Sequence, residues 1–180
     1  MGQIATLHSI ADVMRHPKAA ELIAEAKGHV TKGMSGEQLL SLADEFIPGT
    51  KVGGEIGQRL WSKLGVKSAT RREAVFPDTP YGYVVLALLC ACARQNLALD
   101  ELTEPAPGAH ALIAATVPSS ILAFAGEILI DIQADGRGFT ADGRTIFQGQ
   151  AFDWGRGGRL LDTLFERAGK AVRTYQTLDL

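Results

Sequence analysis

Residues 109–175 read AHALIAATVPSSILAFAGEILIDIQADGRGFTADGRTIFQGQAFDWGRGGRLLDTLFERAGKAVRTY. This stretch passes from apolar segments of strand character through two Asp-Gly pairs into a loop rich in glycine and arginine, and it ends in an amphipathic helical pattern. The chain before it has mainly helical patterns. This order predicts an α+β fold, in which a helical N-terminal part packs on a small C-terminal antiparallel β-meander and a C-terminal helix caps the sheet.

The strands of the meander are indicated by apolar runs and by alternation. Residues His110–Val117 favour a strand, and the isoleucines from Ile128 to Ile132 alternate with Leu129, Asp131 and Gln133 as in a half-buried strand. The tetrapeptide Ala-Asp-Gly-Arg occurs at 134–137 and again at 141–144. Because Asp-Gly favours tight hairpin turns, we predict several short strands, with the second copy as either a turn or a bulge.

The N-terminal part contains several helix start signals. Capping boxes are predicted at 9–12 and 35–38, and Pro17 has the character of a first helical residue. Further helices are predicted at 37–46 and 55–64, followed by a polar, basic loop at 67–78. Thr79 and Pro80 then begin a helix that is apolar nearly all round from Tyr83 to Ala93, which predicts the central buried helix.

The domain organisation is predicted from the sharpest change in composition. Residues 100–108 are first acidic and then rich in proline. We therefore expect one domain over 1–180, divided into a helical subdomain at 1–104 and an antiparallel sheet plus closing helix at 109–175. The closing helix is expected to end near Arg173, and residues 174–180 are expected to form a loose tail.

Composition limits the classes of function. The 180 residues are 46% hydrophobic and 21% charged, with a formal net charge of -2, which argues against a polyanion such as nucleic acid as the main partner. Cys90 and Cys92 lie within an apolar run and are interpreted as small core residues. The longest apolar run, Tyr83–Ala93, is shorter than the roughly 20 residues of a membrane span. A cytoplasmic location is expected.

The C-terminal third resembles one known superfamily. The resemblance rests on Val117–Ser120, the strand Ile121–Gln133, Asp135-Gly136, and Gly149–Gly155 followed by an arginine-bearing amphipathic helix. These segments resemble the final strands and closing helix of START-like (SRPBCC) proteins. Members of that superfamily wrap a curved antiparallel sheet around a long C-terminal helix, and many enclose a cavity for a lipid or another apolar ligand.

The resemblance implies positions for ligand contacts. Leu160, Leu164 and Phe165 would face the cavity, and Trp154 would lie at its rim. These roles follow from the resemblance to START-like proteins.

The loop Gly155–Arg159 is the strongest candidate for anion binding. Its glycines allow a close approach to the backbone, and Arg156 and Arg159 supply charge and bidentate donors. The loop matches neither a P-loop nor a dinucleotide fingerprint. The alternative is a turn whose arginines pair with Asp153, Asp162 or Glu166.

Three weaker patterns have ordinary structural alternatives. His8, Asp12 and His16 are spaced as metal ligands on one helix face, but Pro17 opposes a helix there, and exposed polar residues are the simpler interpretation. Glu127 and Asp131 share a strand face and could perform acid/base chemistry or lie on a solvated face, and His110 is interpreted as a surface residue. The glycines at 53–54 more simply allow a turn between helices.

The leading functional hypothesis is a non-catalytic binding protein that holds a small apolar or amphipathic ligand between sheet and helices. One alternative is a homodimeric protein-interaction module without ligand. A second is an enzyme acting on a phosphorylated or carboxylated small molecule at Gly155–Arg159. We predict no catalytic residue, metal or cofactor, expect a homodimer, and expect neither nucleic-acid binding nor a membrane span. The predicted ligand-binding residues are Trp154, Arg156, Arg159, Leu160, Leu164 and Phe165.

Overall fold

The computed structural model describes residues 3–28, 35, 37–38, 40–41, 70–118, 125–147 and 155–180. The helix predicted at 55–64, the glycines at 53–54, and most of the helix predicted at 37–46 lie outside these ranges. Within them, Ser35 and Gln38 make both bonds of the predicted capping box. The Gln38 amide donates to Ser35 Oγ at 3.3 Å, and the Ser35 amide donates to Gln38 Oε1 at 2.8 Å.

The N-terminal helices begin where the capping residues predict. A 3₁₀ turn at Ile4–Thr6 precedes helix α1, Ile10–Arg15, and helix α2, Pro17–Ala26. The Asp12 amide donates to Ser9 Oγ at 3.0 Å, which caps α1, and Pro17 is the first residue of α2. The two short helices are therefore separated at His16, because the proline starts a new helix and does not continue the old one.

The central helix α3 spans Tyr81–Arg94, and every residue from Tyr81 to Ala93 is buried. This confirms the predicted buried helix, although its N-cap is Pro80 and not Thr79. A Cβ atom at Gly82 would lie 2.1 Å from the Ile4 carbonyl oxygen. Glycine at position 82 therefore allows the N-terminal 3₁₀ turn to pack directly against α3.

The two cysteines lie on α3 and are buried, as predicted. Burial raises the pKa of the Cys90 thiol to about 11 and that of the Cys92 thiol to about 12. Both side chains are therefore neutral core residues at neutral pH.

Within the described ranges, the sheet has five antiparallel strands in the order β1-β5-β4-β3-β2. Helix α3 connects the two edge strands, because it follows β1 and precedes β2. The C-terminal helix α4, Arg156–Leu178, packs against α3, β1 and β5. The predicted α+β fold class is confirmed. The strands are β1 Thr70–Pro77, β2 Ala98–Ala106, β3 His110–Val117, β4 Gly126–Ala134 and β5 Gly138–Phe147.

Two strands lie in the part of the chain predicted as helical, 1–104. The loop predicted at 67–78 is wrong, because β1 occupies it, and the junction predicted at 100–108 lies largely within β2. Strand β1 has only two residues, Ala74 and Phe76, packed in the core, so its sequence lacks a clear apolar alternation. Strand β2 has irregular pairing between Leu99 and Glu101, which shifts the side-chain alternation by one residue.

The two Asp-Gly pairs have different roles. Asp135-Gly136 forms the turn between β4 and β5, and Gly136 has a φ of 81°. Asp142-Gly143 instead lies inside β5, in unbroken register with β4 and β1, so a turn or bulge at this place is wrong. Helix α4 also continues to Leu178, so a loose tail from 174 is wrong. The Tyr83 hydroxyl donates to the Leu180 carbonyl at 2.7 Å, which holds the chain end.

The two faces of the sheet differ in what covers them. Alternate residues of β3, β4 and β5 join α3 and α4 in one large buried cluster, and we call this side the helix face. The opposite side, which we call the open face, carries Leu112, Glu127, Leu129, Asp131 and Arg144. In the described part of the chain its apolar cluster consists of Ala114 and Leu129 with Ile146, and Ala114, Leu129 and Asp131 are buried. Among the described residues, no helix has the length and apolar character to cross a bilayer.

Candidate functional site

Helix α4 begins at the end of the sheet where three strand termini meet. Phe147, the last residue of β5, is the register partner of Gly126, and Gly126 is the partner of Val117 at the end of β3. Gly155 precedes α4 with a φ of 71°, a left-handed conformation that glycine adopts without strain. The predicted Gly/Arg loop is thus the first turn of α4, beside the end of β5.

Arg156 connects this first turn to the aromatic end of the sheet. Its guanidinium carbon lies 4.6 Å from the centre of the Phe147 ring. A cation placed over an aromatic face contributes about 0.5–1 kcal/mol at an exposed site. Arg159 is exposed, and its Nη1 lies 3.3 Å from where a Cβ atom of Gly155 would be. Both predicted arginines therefore belong to the first turn of α4.

A third arginine reaches the same turn from the sheet. A Cβ atom at Gly158 would lie 2.8 Å from Arg72 Nη2, so this glycine allows Arg72 of β1 to lie against α4. Arg72 Nε is 2.9 Å from Asp162 Oδ1. Sequence patterns do not indicate this contact, because it joins a strand and a helix that are distant in the chain.

The apolar residues of the predicted site divide into two groups. Leu160 is half-buried, and its carbonyl accepts a bond from Gln95 Nε2 at 3.4 Å. Leu164 and Phe165 are buried in the layer between α4 and the sheet. Arg156, Arg159 and Leu160 thus lie at the outer end of this layer, and Leu164 and Phe165 lie deeper. Trp154 lies outside the described residues, and ligand contact by the whole set stays a prediction.

The layer is closed where α4 crosses β5. A Cβ atom at Gly143 would lie 2.6 Å from Leu161 Cδ2 and 2.8 Å from Phe165 Cζ. Helix and sheet therefore touch at this glycine. A ligand entering from the first turn of α4 would have to separate these side chains to go further.

The carboxylates considered as partners for the loop arginines have other cationic neighbours. Asp162 pairs with Arg72, and Glu166 pairs with Lys170 at 2.5 Å. The hydrogen bond from Lys170 lowers the pKa of Glu166.

A second polar cluster lies on the open face. His110 Nε2 is 2.9 Å from Asp131 Oδ1, and Gln133 Nε2 donates to Asp131 Oδ2 at 3.1 Å. Sequence reasoning treated His110 and Asp131 separately, although both were noted. The available signal was strand register, because His110 and Gln133 are cross-strand partners and Asp131 is two residues away on the same face.

The open-face carboxylates are held by basic residues. Asp142 Oδ2 lies 2.7 Å from Arg71 Nη2 and 3.0 Å from Arg144 Nη2. This arrangement is an ion-pair network across β1 and β5. Asp131 itself is buried, which its interpretation as a residue of a solvated sheet face did not predict.

His8, Asp12 and His16, whose spacing was weighed as a metal pattern, do not lie on one helix. Helix α1 ends at Arg15, and His16 is its C-cap, with Nε2 3.3 Å from Gln3 Oε1. Among the residues that the structure describes, no group of three or more His, Cys, Asp or Glu side chains could hold a metal ion.

Comparison with protein-family models, curated proteins and solved structures finds no match. The fold itself is compatible with the START-like resemblance, because a five-stranded antiparallel sheet carries a long C-terminal helix packed on it.

Proposed function

We propose that the protein is a non-catalytic binding protein for a small amphipathic ligand with an anionic group. The anionic group binds Arg156 and Arg159 in the first turn of α4. The apolar part lies beside Phe147 and Leu160 and extends into the layer between α4 and the sheet. The ligand would thus lie between the sheet and the last helix, as it does between a curved sheet and the last helix in START-like proteins.

The contact between the Arg156 guanidinium and the Phe147 ring carries this proposal. It places a permanent cation beside an aromatic surface at the end of the helix–sheet layer. Arg159 and Arg72 add positive charge to the same turn. The helix dipole acts in the same direction, because the N-terminus of α4 carries partial positive charge. An amphipathic anion matches this combination of positive charge and aromatic surface.

The test is a titration with two probes that differ only in the head group. A fluorescent fatty acid supplies the carboxylate, and the corresponding fatty alcohol supplies the same chain without charge. In the variant Arg156→Gln/Arg159→Gln we expect the fatty acid to bind about tenfold more weakly or worse. Hydrogen bonds to charged groups contribute about 1.5–3 kcal/mol, and 1.4 kcal/mol corresponds to tenfold in affinity. Binding of the alcohol is expected to stay unchanged.

The matched control is Lys170→Gln/Arg173→Gln, which removes the same charge from the other end of α4. Lys170 and Arg173 are exposed and border a shallow groove of about 400 Å³. We expect this control to bind both probes like the wild type. Equal affinity of the two double variants for the fatty acid, or no binding by the wild type, would contradict the proposal. Chemical conversion of the probe would favour the alternative of an enzyme.

A further inference from the structure

The two edges of the sheet differ in regularity. Strand β2 has register shifts between Leu99 and Glu101 and between Thr103 and Ala106, and Pro105 lies near its end. Bulges and proline are features that protect an edge from pairing with another chain. Strand β1 pairs with β5 through eight consecutive partners without a bulge. In the described part of the sheet β1 is thus an edge strand with regular pairing, and it lacks the irregularities that protect β2.

The side chains of β1 are accessible. Arg71, Arg72, Glu73 and Val75 are all exposed, and Val75 is one of two large apolar residues that the described part of the chain exposes strongly, at 57%. An accessible edge strand can pair with a strand of another chain, and that strand has to match the charges of β1.

Glu73 lies in an unfavourable position within one copy. Its cross-strand partner in β5 is Asp142, and like charges directly opposite each other destabilise a sheet. Asp142 is already engaged by Arg71 and Arg144. Glu73 makes no ion pair with another described residue. Within the described sheet, the edge of β1 away from β5 is thus the side from which a cation can reach Glu73.

We infer that the β1 edge pairs with the β1 edge of a second copy of this chain, in antiparallel register centred on Arg72. In this register Arg71 of each copy lies opposite Glu73 of the other. Two-fold symmetry gives this complementary pair twice. A register centred on Arg71 or Glu73 places one pair of like charges opposite each other and forms no Arg71–Glu73 pair, whereas the register centred on Arg72 forms two such pairs against one Arg72–Arg72 pair. The charges of β1 thus favour this register, with a second copy of the chain as the partner.

The remaining contacts of this register have partners of their own. Arg72 of one copy lies opposite Arg72 of the other on the helix face. Each of the two guanidinium groups pairs with Asp162 of its own chain. The Arg71 carbonyl accepts a bond from Arg72 Nη1 at 2.9 Å, and a carbonyl oxygen has a second lone pair for another donor. The two sheets become one continuous sheet, with both open faces on the same side.

The test uses two single charge reversals and their mixture. In a dimer of Glu73→Arg, Arg71 of one copy faces the new arginine at position 73 of the other. In a dimer of Arg71→Glu, Glu73 of one copy faces the new glutamate at position 71 of the other. We expect each variant to dimerise about tenfold more weakly than the wild type or worse, as measured by analytical ultracentrifugation over a concentration series. When the two variants are mixed, each acidic residue faces a basic one. The mixture is therefore expected to recover dimer as the heterodimer.

Two controls separate the interface from folding. Glu73→Arg places an arginine opposite Asp142, so its thermal midpoint is expected to match or exceed that of the wild type monomer. Glu166→Arg reverses an exposed charge on α4 and is expected to leave dimerisation unchanged. A wild type that stays monomeric at all concentrations, single reversals that dimerise like the wild type, or a mixture without heterodimer would overturn the inference.

Discussion

The helix face and the open face of the same sheet are built in different ways. On the helix face, Ile128, Ile130 and Ile132 are fully buried against α3 and α4. On the open face, neighbouring positions of the same strand carry Glu127 and Asp131, and the apolar cluster is small. One strand thus supplies the core with alternate residues, and the positions between them carry Leu129 and also Asp131, which pairs with His110. Stability is therefore expected to depend mainly on the helix face.

The same substitution on the two faces should have the largest difference in effect. Ile130→Ala removes a fully buried side chain of the helix face and is expected to cost about 2–5 kcal/mol of unfolding free energy. Ile146→Ala removes a half-buried side chain of the open face and is expected to cost about 1 kcal/mol or less. Urea denaturation measures the free energy of unfolding of both variants, and equal m values make the two losses comparable. Equal losses would mean that the two faces are packed alike.

Glycine-to-alanine substitutions sharpen the comparison at the contact between helix and sheet. Gly143→Ala introduces a Cβ atom 2.6 Å from Leu161 Cδ2, and overpacking is expected to cost about 1–3 kcal/mol. Gly169→Ala on α4 meets only Arg173 Nη1, at 3.9 Å, and is expected to stabilise the protein by about 0.5–1 kcal/mol through helix propensity. The two substitutions should therefore move the midpoint of thermal unfolding in opposite directions. A stabilising Gly143→Ala would refute the close contact.

The smallest effect is expected at the turn between β4 and β5, which belongs to neither face. The backbone amide of Arg137 and the hydroxyl of Thr140 donate to the Asp135 carboxylate, each at 3.0 Å, and lower its pKa below the ordinary value of 3.8. A lowered folded pKa stabilises the fold above the unfolded pKa. This contribution is lost as the pH falls from about 4 through the folded pKa.

Asp135→Asn removes this titration. The difference in stability between the wild type and Asp135→Asn should therefore be largest near neutral pH and shrink as the pH falls below about 4. Thr140→Val removes one of the two donors and should reduce the pH-dependent part. A difference that is independent of pH would show that the carboxylate charge has no role in the turn.

Sequence patterns predicted the elements that bury a regular apolar face. The central helix, strands β3 and β4 and the apolar side of α4 were all predicted, because their apolar residues form long runs or a regular period. Strand β4 is buried on both faces from Ile128 to Ile132, where the sequence predicted a half-buried strand. The edge strands were missed for different reasons. Strand β1 buries few side chains, and the irregular pairing of β2 breaks its alternation.

Contacts between distant segments were beyond sequence patterns. Asp142-Gly143 has the composition of a turn, but Gly143 is required by Leu161 and Phe165 of α4, which lie far along the chain. The same holds for Arg72 beside Gly158 and for His110 beside Asp131. Of the candidate site, the sequence predicted the Gly/Arg turn and its two arginines. Phe147, the aromatic partner of Arg156, was missed because its role depends on where β5 ends.

We propose that the ligand binds at the end of the helix–sheet layer and not on the open face. Chemical-shift mapping of the backbone amides during titration with the fatty acid tests this claim most directly. We predict that the shifts concentrate at Phe147 and at residues 155–160. Shifts concentrated at Leu112, Leu129 and Asp131 would contradict the claim and assign the ligand to the open face.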